Sequence, residues 1–151
     1  MTVPLPNMTD YLAFIRAQGI PVQALPDDSP IIQVTFDLAM DWVYRRIQCA
    51  SRVWYARAVY LFALDRRINF ASDPIECGTD GYFATLRSKL GINTASTGII
   101  QASSDNSTSQ SWMIPDALKN LSLADLQNLK TPYGREYLAI ASQFSPIWGL
   151  T

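Results

Sequence analysis

Histidine is absent from all 151 residues. That excludes imidazole acid–base catalysis and metal ligation by histidine. Cysteine is almost as scarce. Cys49 and Cys77 have no C-x-x-C partner and no metal spacing, so they read as reduced thiols of a cytosolic product rather than a disulfide framework. Charge is thin as well: charged residues make up 17% of the chain and the net charge is −1, against an average charged share of about 25%. A near-neutral balance gives no basic footprint of a duplex-binding domain, and a charge-poor surface implies that other chains cover part of it. No stretch reaches the roughly 18 apolar residues of a membrane span; the longest apolar run, Ala58 to Leu64, is flanked by Arg57 and Asp65. No basic residue precedes Arg16, and Pro4 and Pro6 interrupt the N-terminus, so no secretory signal is expected. A phosphate-binding GxxxxGK[ST] loop, a GxSxG elbow and internal repeats are all missing from the sequence.

What remains is an apolar chain, 48% hydrophobic, long enough for one domain with a real core. Its pattern is mostly helical. Thr9 and Asp10 are positioned to cap a short helix over Tyr11 to Gln18, ended by Gly19 and Pro21. Asp27-Asp28-Ser29-Pro30 combines acidic residues, a Ser cap and a first-turn proline, a strong helix start. This helix is expected to run to about Gln48. Ile31, Val34, Leu38 and Trp42 form one apolar stripe, and Ile32, Phe36, Ala39, Val43 and Ile47 form a second beside it. A helix apolar over most of its circumference is expected to be central, with Trp42 buried. A second core helix is expected from about Ser51 to Asn69, with Leu61 and Phe62 inside. After the break at Asp73-Pro74, Thr79 or Asp80 begins a third helix that Gly91 ends. A weaker helical segment spans about Ala117–Leu129 with Ser122 as cap, and Thr131-Pro132 opens the last helix. There Tyr133, Tyr137, Ile140 or Ala141, and Phe144 share a face before Pro146.

Between the third and last helices the period changes. Residues 91–115 carry one formal charge, Asp105, and are dense in Ser, Thr and Asn. Two runs, Thr97–Ser103 and Thr108–Ile114, flank Ser104-Asp105-Asn106-Ser107, whose short polar side chains suit a turn. Ile99, Ile100, Trp112, Met113 and Ile114 supply apolar ends that argue against pure disorder, and Gly98 and Asn106 belong to the same arm. The stretch reads as a β-hairpin or extended arm, which needs a partner surface because an isolated hairpin is marginal in water. The alternative is a mobile Ser-rich loop. The fold class is therefore mainly α: an antiparallel helical bundle, body 9–90 and 116–145, with an arm at 91–115 and a C-terminal tail at 146–151.

Few residues invite chemistry. Asp37 and Asp41 lie on one helix face and form a possible carboxylate pair, but Asp41 and Arg45 at i, i+4 spacing make a commonplace exposed ion pair. Arg66-Arg67 near a helix C-terminus complements the macrodipole, a phosphate site being the lesser alternative. No catalytic constellation and no cofactor is expected.

Two segments matter together. Ala102-Ser103-Ser104-Asp105-Asn106-Ser107-Thr108-Ser109-Gln110-Ser111-Trp112 precedes a helix opening Thr131-Pro132-Tyr133-Gly134-Arg135-Glu136-Tyr137-Leu138. In that order, behind a helical body and before a short tail, they resemble the small head–tail connector proteins of tailed bacteriophages, the adaptors that bind the portal. The resemblance covers most of the chain from Ser29 onward and departs from simpler members in the lengthened 115–130 segment. It implies a helical protomer in a ring, commonly twelvefold, in the virion neck, assembled in the host cytoplasm. Its implied partners are itself, the portal and the next neck or tail-completion protein, with passive contact to the double-stranded genome and none to a membrane. The arm would be an intersubunit element. Thr131, Pro132, Tyr133, Gly134, Arg135 and Tyr137 mark the motif helix. Past Pro146, the apolar Ile147, Trp148 and Leu150 are expected to dock into the portal, or else to fold back onto the bundle. A different class of protein, a small helical binding or regulatory module with a flexible Ser-rich loop, fits the same composition.

Overall fold

A computed structural model describes residues 5–71, 73, 81–92, 102–105, 108–111 and 127–144. The chain is mainly helical, with α1 at Met8–Ala17, α2 at Pro30–Trp42, α3 at Arg46–Ala50, α4 at Arg52–Phe70, α5 at Tyr82–Lys89 and α6 at Pro132–Phe144. Strands β1 (Ala102–Asp105) and β2 (Thr108–Ser111) pair antiparallel, with Ala102 opposite Ser111 and Asp105 opposite Thr108. Ser104 and Asp105, expected in the turn, thus belong to the first strand. Only Asn106 and Ser107 lie between the strands, the commonest hairpin spacing.

Helix α4 is the hub, packing against α1, α2, α3, α5 and α6. Every residue from Ala58 to Asp65 is buried, as a helix apolar all round must be. Ser51 caps it by accepting from the Trp54 amide at 3.4 Å. Against it stacks an aromatic cluster. Tyr11 lies 5.4 Å from Phe36 and 5.6 Å from Tyr60, ring centre to ring centre. The Tyr60 hydroxyl accepts from the Asn7 amide at 3.2 Å, tying the entry of α1 to the hub.

Six expectations are corrected. The central helix is α4, not α2. Its neighbour α2 stops at Trp42 rather than Gln48, because Val43 turns extended (φ −68, ψ 129) and α3 is a separate turn. Arg45 therefore lies beyond the helix, and the i, i+4 pairing with Asp41 has no helical basis. Asp37 instead accepts from Gln33 at 2.8 Å. Trp42 is 58% exposed, not buried. At the other end, Ser29 makes no side-chain cap and Asp27 pairs with Arg16. Helix α1 is capped by Asn7, whose Oδ1 accepts from the Asp10 amide at 2.9 Å, rather than by Thr9 or Asp10.

The start of α5 is held from a distance. Asp73 accepts from the amides of Phe83 (2.9 Å) and Ala84 (2.8 Å), and a Cβ on Gly81 would fall 2.1 Å from the Asp73 side chain. Gly91, at φ +69, closes the other end as foreseen, with the Ile92 amide donating to Arg87 O at 3.0 Å. Among the described residues, no helix is long and apolar enough to cross a membrane.

Candidate interaction surface

The two stripes of α2 have opposite fates. Ile32, Phe36, Ala39 and Val43 face α4 and are buried, whereas Ile31, Val34, Leu38 and Trp42 all stand in solvent, Val34 at 59%. Four large apolar side chains at helical spacing make a contiguous surface of the kind that marks an interaction site. Trp42 lies flat on Phe62, with ring centres 6.3 Å apart and planes 15° apart. Leu38, Trp42, Phe62 and Phe70 wall an open apolar cavity of about 250 Å³. Phe70, at the end of α4, is 68% exposed.

That cavity continues into a second of about 370 Å³, lined by Arg66, Asn69, Phe70, Arg87, Ile92, Gln127 and Lys130. Arg66, Phe70 and Gln127 belong to both, so the two halves form one groove. Neutral acceptors hold Arg66, and carbonyls together with the Asp73 carboxylate hold Arg87. Arg66 donates to Gln127 Oε1 at 3.0 Å and Asn128 Oδ1 at 3.2 Å, and its guanidinium lies 4.8 Å from the Phe62 ring centre. Arg87 donates to the carbonyls of Ala71 (2.6 Å) and Ile68 (3.2 Å), with Asp73 3.9 Å away. Arg67, expected beside Arg66 as a dipole partner, is buried and lies over Phe83 at 4.7 Å. Burial lowers its pKa.

The helix-opening motif proves to be a packing device. Thr131 Oγ1 accepts from the Gly134 amide at 2.9 Å, capping α6, and donates to Asp65 Oδ1 at 2.5 Å. Pro132 is the first helical residue, where its missing N–H costs nothing. A Cβ on Gly134 would lie 2.1 Å from the Asn128 carbonyl oxygen and 2.7 Å from Asp65 Oδ1, so only glycine lets α6 approach α4. Tyr133 packs part-buried on the core, and Tyr137 meets Phe62 edge-on at 5.0 Å. Arg135 is exposed. Asp65 has no solvent exposure. Burial pushes its carboxyl up to about 6, opposed by the Thr131 hydrogen bond, the Arg66 charge, the Asn69 hydrogen bond and the Lys130 charge.

Of the anticipated arm residues, Asp105 lies in β1 opposite Thr108. Gly98, Ile99, Ile100, Asn106, Trp112, Met113 and Ile114 lie outside the described residues, as do the tail residues Pro146, Ile147, Trp148 and Leu150 and most of the expected 117–129 helix. Sequence reasoning missed the groove. Phe70 and Lys130 carry no motif, and Gln127 meets Arg66 from 61 positions away. Among the described residues, no group of three or more Cys, Asp or Glu gathers as a metal site would. Compared with known protein families, curated proteins and solved structures, the chain matches none.

Proposed function

We propose that this chain is a structural subunit of a homo-oligomeric ring, a head–tail connector of the kind that joins a phage portal to the tail. The observation that carries the reading is the exposed stripe of Ile31, Val34, Leu38 and Trp42 on α2. Leaving four such side chains in water forgoes about 1.5–3 kcal/mol for each one fully buried, a cost that association removes. The charge-poor composition supports the same conclusion, as does the resemblance carried by the Ser-rich strand region and the Thr131–Leu138 helix start. In this reading the helical body is an antiparallel bundle and the β1–β2 pair belongs to an arm that crosses to a neighbouring subunit. The tail after Phe144 engages the portal, and the ring encloses the genome's path without gripping it. The role is non-catalytic.

Sedimentation velocity tests the assembly. The wild-type chain should sediment as an oligomer, and Val34→Glu, which places a charge in the stripe without touching the core, should sediment as a folded monomer. A wild-type protein that stays monomeric at high concentration contradicts the proposal. It would favour the small binding-module reading, for which the same surface is a site for one partner.

A further inference from the structure

We propose that the groove running from Leu38 and Trp42 to Arg66, Arg87 and Lys130 binds an acidic segment of a partner protein that carries a large apolar side chain. The two halves are chemically unlike and physically continuous. In one, Leu38, Trp42, Phe62 and Phe70 offer an open apolar cavity of about 250 Å³, the size of an aromatic or branched aliphatic side chain. In the other, about 370 Å³, the described lining side chains include three cations and no carboxylate. Among the described residues, the acids beside it, Asp65 and Asp73, are not in the lining. Asp65 is fully buried, bound to Thr131 and Asn69, and Asp73 is occupied by the amides that start α5.

The cations are placed in advance. Arg66 spends its hydrogen bonds on the amide oxygens of Gln127 and Asn128, which orient a guanidinium without neutralising it. Arg87 is pinned by two carbonyls at the end of α4 and faces the Asp73 carboxylate at 3.9 Å, so Arg66 and Lys130 are the cations left without an acidic partner among the described residues. Lys130 makes no ion pair among the described residues. Fixed donors lose little conformational freedom on binding, and that preorganisation raises affinity. Arg66 and Phe70 stand where the halves meet, so a ligand that fills the apolar half lays its neighbouring residues along the cations. An extended peptide advances about 3.3 Å per residue, so the test places acidic residues at several positions from the anchor.

Nucleic acid fits less well. A strand needs cations along its whole track, whereas here they occupy one end and the groove closes on apolar side chains; the net charge is −1. The groove shares Leu38 and Trp42 with the assembly stripe, whereas Arg66, Arg87 and Lys130 belong to the groove alone and Ile31 and Val34 to the stripe alone.

The test is an array of octapeptides, each with two to four Asp or Glu and one Trp, Phe or Leu. Matched controls carry Lys for the acids or Ala for the anchor. Binders are then measured by fluorescence anisotropy with fluorescein-labelled copies. Wild type should select the acidic, anchored peptides, with affinity falling several-fold between 50 and 300 mM salt. Lys130→Gln, which disturbs no side-chain hydrogen bond among the described residues, should weaken binding at least threefold, and Arg66→Gln with Lys130→Gln at least tenfold. Leu38→Ala should weaken it while leaving the salt dependence intact. Val34→Glu, which frees Leu38 and Trp42 from assembly, should bind at least as tightly as wild type, which separates peptide binding from self-association. The proposal is overturned if acidic anchored peptides are not selected or if Lys130→Gln and the double variant bind them unchanged. It is equally overturned if a labelled dT12 oligonucleotide binds more tightly than any peptide, or if the double variant alters only self-association.

Discussion

Thr131 and Asp65, 66 positions apart, share a buried hydrogen bond of 2.5 Å that fastens the first turn of α6 to the middle of α4. The same threonine oxygen accepts from the Gly134 amide, so one hydroxyl both caps a helix and docks it. The carboxylate it touches is fully buried, and its Oδ2 finds no hydrogen-bond partner among the described residues. That arrangement makes the α4–α6 junction sensitive to pH.

Desolvation raises the Asp65 carboxyl from its ordinary 3.8 to about 6. The folded chain therefore holds this proton more tightly than the unfolded chain does. The stabilisation is fully present below about pH 4 and is lost as pH rises through about 6. Asp65→Asn removes the titration. Relative to wild type, the variant should gain about 1–3 kcal/mol in urea unfolding between pH 4.5 and pH 7.5. A stability difference that stays flat with pH, or shrinks as pH rises, contradicts this.

Gly134→Ala should destabilise the protein although alanine is the better helix former. The propensity gain is about 1 kcal/mol, but the new Cβ would sit 2.1 Å from the Asn128 carbonyl oxygen. Forcing α6 away from α4 costs about 1–3 kcal/mol or more. Chemical denaturation decides the sign. A more stable alanine variant would mean that the close approach does not exist in solution.

Leu61 is 1% exposed at the centre of α4. Leu61→Ala should cost about 2–5 kcal/mol in urea unfolding. A loss under about 0.5 kcal/mol, typical of surface sites, would place α4 in the wrong phase.

Replacing residues 98–114 with a short Gly-Ser linker should leave the far-ultraviolet helical signal unchanged and abolish oligomerisation. In the proposed assembly the arm gains its backbone hydrogen bonds from a neighbour, as in strand addition. Oligomers of undiminished size from that variant would remove the arm from the interface.

Much of the helical framework was legible in the sequence, because long periodic segments with local caps announce themselves. Helix α4 was expected from about Ser51 to Asn69 and spans Arg52–Phe70, and the second stripe of α2 is buried as read. Trp42 shows where such reading fails. Two adjacent apolar stripes look alike in hydropathy, and only the tertiary contacts decide which one α4 covers. Distant capping was equally hidden: Asp73 holds amides ten and eleven positions away, beyond any local capping pattern. Asp65 reads in sequence as the polar flank of an apolar run, and nothing local reveals Thr131. The groove joins α2, α4, α5 and residues around Gln127 and Lys130, a juxtaposition set by packing alone.

The central claim is assembly, and electron microscopy of the purified full-length chain tests it most directly. Negative-stain class averages should show closed rings with a central opening, and light scattering of the same sample should give an integral multiple of the 16.9 kDa subunit mass. The rings should vanish in Val34→Glu. A monodisperse 16.9 kDa monomer without rings at any concentration would contradict the account.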